Sequence, residues 1–440
     1  MNNKKWMAIL LGGIMAASLA APCSVSAAEK TTLTFWHAMG GTNGEVLQQI
    51  VDDFNASQDE IEIKAEYQGT YDDTITKLKA AMQSDSGLPD VCQMYDVGTK
   101  FMYDSGAVIP VEDKFESTGY DKSSVMEVIS SYYTVDGKQY AMPFNVSTPM
   151  LYYNKDVFEA AGLDPETPPT TYDEVLEDAK KIVESGAAPV GYSQAIYGWF
   201  FEQQLAGLGV TYGNNDNGRK EAVTAVDFDS NGGGLKVFDM WKKLYDSGYF
   251  EDYGTTTADT QTAFFSGQVG MIIESTAILK NAVDSSPFEV GTGYLPRIEQ
   301  NDEGGVIIGG GSLWLTDTGN EANEDAAWKF IEYITTPDVQ AKWSMGTGYF
   351  AINEKAYETE DMKAYLKENP NFETAINQLK DSPVNANTAG VLSGVQTEAR
   401  LTFNEIMPQV YDGKLTTQDA VDQLAASVNK AIENYNESIK

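Results

Sequence analysis

Apolar and polar positions follow two different periods along the first hundred residues. Thr32-Leu33-Thr34-Phe35-Trp36 reads as a strand, and Ile61-Glu62-Ile63-Lys64-Ala65-Glu66-Tyr67 alternates with period two, the mark of a half-buried strand. Between them, Val46, Leu47, Ile50 and Val51 recur at helical spacing and predict a helix over 45–54. Ile75, Leu78 and Met82 share a second helical face, and Val91-Cys92-Gln93-Met94-Tyr95 is a short apolar strand. Strand, helix, strand, helix, strand predicts a parallel sheet with crossover helices. In such sheets ligands sit beyond the carboxyl ends of the strands, where Trp36, Tyr71 and Asp96 fall.

The chain past Pro143 reads as a second α/β region. Thr171-Tyr172-Asp173-Glu174 is a capping box, Thr followed three residues on by Glu, and opens a helix that runs to about Glu184. Helical patterns recur over 235–245, 322–334 and 416–436, and 306–314 is apolar and rich in glycine. No internal repeat of 20 to 50 residues and no long low-complexity linker interrupts this order.

Composition changes the picture in three ways. Lys4 and Lys5, an apolar run from Trp6 to about Ala21 and the small residues Val25-Ser26-Ala27 have the order of a secretory signal, giving a leader over 1–27 and export from the cytoplasm. Cys23 follows Ala20-Ala21-Pro22, so a lipid anchor at Cys23 stands as the alternative to cleavage after Ala27, after which Cys92 would be the only cysteine. The formal charge is −35, and losing Lys4 and Lys5 makes it more negative still, which argues against nucleic acid and anionic membrane as partners.

Several stretches resemble one family. Pro143-Phe144-Asn145-Val146-Ser147-Thr148-Pro149-Met150-Leu151-Tyr152-Tyr153-Asn154-Lys155-Asp156 looks like the segment at which extracellular solute-binding proteins of family 1 cross between lobes. The resemblance recurs at Phe35-Trp36-His37, at Tyr67 to Tyr71, at Ile307 to Trp314, at Gly346-Thr347-Gly348-Tyr349 and from Arg400 through Tyr411-Asp412-Gly413-Lys414. It covers essentially the whole chain after the leader and is strongest to the glycerol-phosphate-binding branch. The resemblance implies an α/β, two-lobed periplasmic-binding-protein fold of type II, maltose-binding-protein-like, with a hinge between lobes. It places an N-lobe at 28–145 plus 306–345 and a C-lobe at 146–305 plus 346–440, crossed three times by the chain. It further implies a monomeric receptor that takes sn-glycerol 3-phosphate or a glycerophosphodiester between its lobes and delivers it to the permease subunits of an ATP-binding-cassette importer, without a cofactor.

The same resemblance assigns site residues that would otherwise read blandly. Arg400, in a helical segment, is by local sequence a surface charge paired with a neighbouring Glu, but it matches the family's phosphate-contacting arginine, whose fork suits phosphate oxygens. Ser147, Ser275 and Tyr349 match neutral phosphate donors, and Gly310 matches a ligand-contacting glycine, although Gly309-Gly310-Gly311 on its own is a turn permitting positive φ. Tyr71 and Asp96 would serve the glycerol end, the family carrying a glutamate where this chain has Asp96. Glu274 stands where the glycerol-phosphate binders have a small uncharged residue, and a carboxylate pointing inward there favours a neutral sugar. Trp36, Tyr197 and Trp199 add aromatic surface, either as core or as platforms for polyols and sugars.

His37 is the only histidine, so a Ser-His-Asp or Cys-His arrangement would have to use it, and multi-histidine metal sites are excluded. Asn215-Asp216-Asn217-Gly218 resembles half a calcium loop, but Gly213 and Thr224 fall where ligands are needed, and it reads as a surface turn. A binding protein without catalysis is therefore expected. A mono- or oligosaccharide receptor of the same build is the alternative, and an extracytoplasmic glycosidase, for which no placed carboxylate pair is evident, is the competing class.

Overall fold

The computed structural model describes residues 30–84 and 87–439. The leader over 1–27 and Cys23 lie outside the described residues. Twelve strands are described in chain order: β1 Thr31–His37, β2 Ile61–Tyr67, β3 Val91–Tyr95, β4 Val108–Ile109, β5 Thr134–Val135, β6 Lys138–Gln139, β7 Met142–Ser147, β8 Pro149–Asn154, β9 Val190–Ser193, β10 Val269–Ser275, β11 Val290–Gly293 and β12 Gly309–Thr316. The first sheet runs β2-β1-β3-β12-β4, with β7 also paired to β12. β1 is parallel to both β2 and β3, as the alternation over the first hundred residues predicts. β12, arriving some two hundred residues later, is antiparallel to β3, β4 and β7. The second sheet runs β11-β8-β10-β9, and β5 and β6 form a separate hairpin.

Local chemistry accounts for the helices. Thr171 accepts from the Glu174 N–H, completing the capping box of the helix Tyr172–Ser185, and Thr70 with Asp73 and Thr416 with Asp419 do the same for Tyr71–Met82 and Thr417–Ser438. Gly41–Ser57 buries Leu47, Ile50, Val51 and Phe54, close to the stripe read from sequence. Cys92 is wholly buried in β3, where burial pushes its thiol up to about 12 and leaves it inert.

Two large hydrophobic cores result, with a small third cluster of Ala341, Ala351, Ala356 and Met362. Period-two alternation in the second sheet divides its residues between them. Met150, Tyr152 and Ile272 face one side and join the core built on the first sheet, through Phe264, Leu279 and Leu379. Leu151, Tyr153, Met271 and Ile273 face the other and close on Val175, Ile182, Phe200 and Trp241.

The chain passes from the first sheet to the second within three residues, Ser147-Thr148-Pro149. Thr148 is pinned there, donating its N–H to Thr276 Oγ1 at 3.1 Å while its carbonyl accepts from the Thr276 N–H at 2.8 Å. Farther along, Gln203 grips Ile307 from both sides, Nε2 donating to its carbonyl at 2.7 Å and Oε1 accepting from its N–H at 2.8 Å. Arg219, half-buried and without a carboxylate partner among the described residues, donates to the carbonyls of Gly390 at 3.0 Å, Tyr132 at 2.8 Å and Ala389, and lies 5.1 Å from the Tyr132 ring. Desolvation lowers Arg219 to about 10.

The segment read as a surface turn is a turn, but it is anchored in the interior. Asn215, Asp216 and Asn217 all have positive φ, and Asn217 is buried, accepting from the N–H groups of Tyr212 and Gly213 and donating to the Ala386 carbonyl. Those side-chain bonds offset the left-handed backbone and carry Arg219 to its site.

Gly310 has φ of +89°, and a Cβ there would sit 1.9 Å from the Asn145 carbonyl oxygen of β7. Gly319 has φ of +70° with open space around it. Gly310→Ala is expected to cost at least about 3 kcal/mol in urea unfolding, where strain and collision add, and Gly319→Ala about 1 kcal/mol from the backbone alone. Equal midpoints for the two variants would contradict the close β7–β12 approach.

Candidate functional site

Where β3 ends, Asp96 opens a short 3-10 turn over 96–98, and its side chain leaves the first sheet for the seam between the two cores. Opposite stand two helices of the second core, Gly198–Gly207 and Gln396–Tyr411. Their backbones approach because Gly198 has no side chain: a Cβ there would lie 2.5 Å from the Arg400 Cα. That approach sets Arg400 against Glu202. Nε and Nη2 of Arg400 donate to the two Glu202 oxygens at 2.8 and 2.7 Å, and Nη2 also donates to Asp96 at 2.7 Å. Gln396 donates to Glu202 at 3.0 Å. All three charged residues are at most 7% exposed. Burial works to lower the Arg400 pKa, but the flanking Asp96 and Glu202 carboxylates more than offset it and hold the guanidinium charged, well above its ordinary value. Thus Arg400 is neither exposed nor paired with a neighbouring Glu, as its local sequence suggests, and Asp96 engages Arg400 rather than standing free.

A second polar group gathers around Asn145. Its Oδ1 accepts from Gln93 at 2.7 Å, which orients the amide so that Nδ2 donates to the Tyr71 hydroxyl at 2.7 Å. Tyr349 lies within reach of both Tyr71 and Asn145, and its ring stacks on Trp343 at 5.5 Å. Tyr71 stacks on Tyr95 at 5.1 Å, and the Tyr95 hydroxyl shares a hydrogen with Thr397 of the Arg400 helix at 2.7 Å. Tyr71, Asp96, Tyr349 and Arg400 are therefore connected through short chains of contacts.

The remaining candidates line the crossing. Ser147 pairs with Gly309 and Val146 with Gly310 in register, and Ser275 pairs with Pro149. Ser275 Oγ accepts from the Ala277 N–H, so it caps a turn and still retains its own proton to donate. Trp199 packs its indole over Gly309, and its buried Nε1 has no partner among the described residues. Glu274 does point inward: it is buried, accepting from Gln261 and from the Ser275 N–H. Tyr197, 6.0 Å from the Arg400 guanidinium, interacts electrostatically with Arg400, Asp96, Glu202 and Glu274 alike. Trp36 is not brought to this group, since its indole donates to Glu66 on β2 at 2.9 Å. Cavities of about 730 and 610 Å³ lie elsewhere, beside Arg219 and beside Tyr294 and Gln378.

Sequence reasoning missed Glu202, Asn145 and Gln93. For Glu202 a signal existed: it is the one charge in Gly198-Trp199-Phe200-Phe201-Glu202-Gln203-Gln204-Leu205-Ala206-Gly207, a helix otherwise apolar or amide. A lone charge in a buried helix demands a partner.

Two sheets of this topology, joined by brief crossings with a polar seam between them, define a two-lobed solute-binding protein. The profile for bacterial extracellular solute-binding proteins matches residues 49–374, and the chain belongs to that family. It is 31% identical over 417 residues to the sn-glycerol-3-phosphate-binding periplasmic protein UgpB of Escherichia coli, covering 93% of this chain and 94% of that one. UgpB from Mycobacterium tuberculosis, solved in complex with glycerophosphocholine, matches with a TM-score of 0.79 at 20% identity over 92% of this chain and 99% of its own. The cyclic alpha-maltosyl-1,6-maltose binding protein from Arthrobacter globiformis matches with a TM-score of 0.75 at 26% identity, over 92% and 100%. The fold is the maltose-binding-protein-like α/β fold.

Burial raises Glu274 from 4.5 to about 7, the bonds from Gln261 and Ser275 opposing it. The folded protein holds this proton more tightly than the unfolded chain, so the group's contribution to stability falls as pH climbs from about 4.5 through 7. Glu274→Gln should therefore stabilise the protein by roughly 3 kcal/mol at pH 8, with the gain shrinking toward zero near pH 4.5. Urea unfolding at several pH values checks this, and a gain that does not vary with pH would assign the titration elsewhere.

Proposed function

We propose that the chain is the extracytoplasmic receptor of an ATP-binding-cassette importer, exported by its leader, acting as a monomer, and binding sn-glycerol 3-phosphate or a glycerophosphodiester between its lobes. The observation that carries the reading is Arg400: a buried guanidinium, held by a helix of the second core, that faces the first sheet across the seam. Relatives about 31% identical over nearly the full chain are named for binding sn-glycerol 3-phosphate, which supports the same class of solute here. Ser147, Ser275, Tyr349 and the backbone at Gly310 supply neutral donors beside the crossing, and Tyr71 with Asp96 offers a ring and an acceptor for the glycerol end. Domain limits of 28–145 plus 306–345 and 146–305 plus 346–440 belong to this reading. So does hinge closure, with the solute bridging Asp96 and Tyr71 on one side to Arg400 and Ser275 on the other. The site offers donors and stacking surface but no placed nucleophile, and His37, buried and lowered to about 4, stays neutral in the first core.

A second reading, a sugar receptor, is favoured by one observation: Glu274 is buried inward beside Ser275, where it could accept from a sugar hydroxyl but would repel phosphate.

Thermal shift and calorimetry with sn-glycerol 3-phosphate, a glycerophosphodiester and maltose-type sugars separate the two. A phosphate ester should raise the melting temperature, be recovered chemically unchanged, and lose about 2 to 5 kcal/mol of affinity in Arg400→Ala. Tight sugar binding without response to any glycerol phosphate would sink the phosphate reading and leave the receptor role standing. In small-angle scattering the saturated protein should be no larger than the free one, and an expansion on binding would contradict closure around the solute.

A further inference from the structure

Most of the Arg400 guanidinium is engaged inside its own half of the molecule. Nε and Nη2 form a fork on Glu202, and Gln396 holds the same carboxylate from another direction. Both residues ride on helices whose backbones touch at Gly198, so the pair moves as one body. Asp96 is different: it comes from the first sheet and meets Arg400 through a single bond from Nη2. Nη1 donates to no described residue. An anionic oxygen entering the seam meets Arg400 at Nη1 and at the portion of Nη2 shared with Asp96, with Glu202 fixed behind it.

We propose that Glu202 sets the charge of the solute, admitting one negative charge at the phosphate and so favouring a phosphodiester over the dianion of a phosphate monoester. This rests on the phosphate reading given under Proposed function. Glu202 neutralises Arg400 before any solute arrives, and Asp96 adds a negative charge at the same donor. A single negative charge on the solute can replace Asp96 on Nη2, one carboxylate contact exchanged for one phosphate contact. A second finds no further cation among the groups that face Glu202. Of the three arginines, Arg219 is taken up by the carbonyls of Gly390, Tyr132 and Ala389, and Arg297 is exposed beside the separate cavity of about 610 Å³. The groups facing Glu202 are Arg400 and Gln396 on one helix, Asp96 beyond β3, and the phenols of Tyr197 and Tyr212, with Glu274 acting on Tyr197. Only Arg400 among them is positive, and inside a low-dielectric seam the surplus charge is poorly screened.

The test uses charge alone. Glycerol 3-phosphate loses its second proton near pH 6, whereas glycerophosphoglycerol stays a monoanion throughout. Calorimetry of the full chain with both ligands at pH 5 and 7.5 gives a ratio from which any protein titration that acts equally on both ligands cancels, and comparison with Glu202→Gln, which keeps Glu274, isolates the part that Glu202 sets. In the wild type the monoester should weaken at least tenfold relative to the diester between these pH values. In Glu202→Gln that relative loss should largely disappear. A monoester that matches the diester at pH 7.5, or a ratio that changes equally in wild type and Glu202→Gln, overturns the proposal. If Glu202→Gln does not fold, the wild-type ratio still decides, because a ratio flat with pH overturns it. Binding of sugar with no phosphate ester bound at either pH is the distinct outcome that overturns the phosphate reading, and this proposal with it.

Discussion

A guanidinium buried between two carboxylates of different origin is the constraint on which the seam depends. Removing three charges from water is unfavourable unless each finds its counterpart with good geometry. Here the geometry is supplied by the absence of a side chain at Gly198, which lets two helices come close enough for a bidentate Arg400–Glu202 contact. Once that pair exists, Asp96 has a reason to turn inward from the end of β3, and Tyr197, Gln396 and Thr397 find positions around it. A hydrophobic seam would hold the lobes together as well, but it would offer nothing that a polar solute could exchange for.

The ties between the two cores differ in what lobe motion asks of them. Gln203 and Ile307, like Thr148 and Thr276, join backbone groups beside the chain crossings, where a rotation displaces atoms least. Asp96 with Arg400 and Tyr95 with Thr397 lie at the ends of side chains out in the seam. In the closure proposed above, the first set would serve as a pivot and the second as contacts exchanged during opening. Arg219 is intermediate, a cation held by carbonyls from both sides. Under that proposal, hinge motion is a matter of which hydrogen bonds are replaced by solute or water, with the cores left intact.

Much of the fold was legible because it rests on local rules. The alternation in Ile61–Tyr67, the helical stripe ending at Phe54 and the Thr171–Glu174 capping box each carry their reason within a few residues. The insertion of β12 antiparallel beside β3 was not legible, since pairing between Gly311 and Tyr95 depends on a chain path that no local pattern records. The two-residue strands β4, β5 and β6 are too short to show any period. At the site, the family resemblance picked out Arg400 and Asp96 but not what they do to each other. Local reasoning offered a neighbouring Glu as a partner, yet Glu398 stands two residues away and residues two apart on a helix do not face each other, and the real partner lies 198 positions away. Trp36 followed from its place at a strand end, but strand-end position does not choose the direction of a side chain, and Glu66 across the ladder took it.

The chain as a whole carries 65 acidic and 30 basic residues, a field hostile to anions. Salt screens most of it: beyond about 10 Å at 0.1 M ionic strength, surface charges contribute little at the seam. The many exposed Lys–carboxylate pairs, such as Lys280 with Asp284, are for the same reason nearly irrelevant to what binds. What a solute meets is therefore set by a few groups. Hydroxyl, indole and backbone donors can hold oxygen atoms of any polyol, sugar or phosphate ester without altering the charge. The count of carboxylates around Arg400 sets the charge without altering the donors. On the proposed reading, shape and charge are then tuned separately on one scaffold.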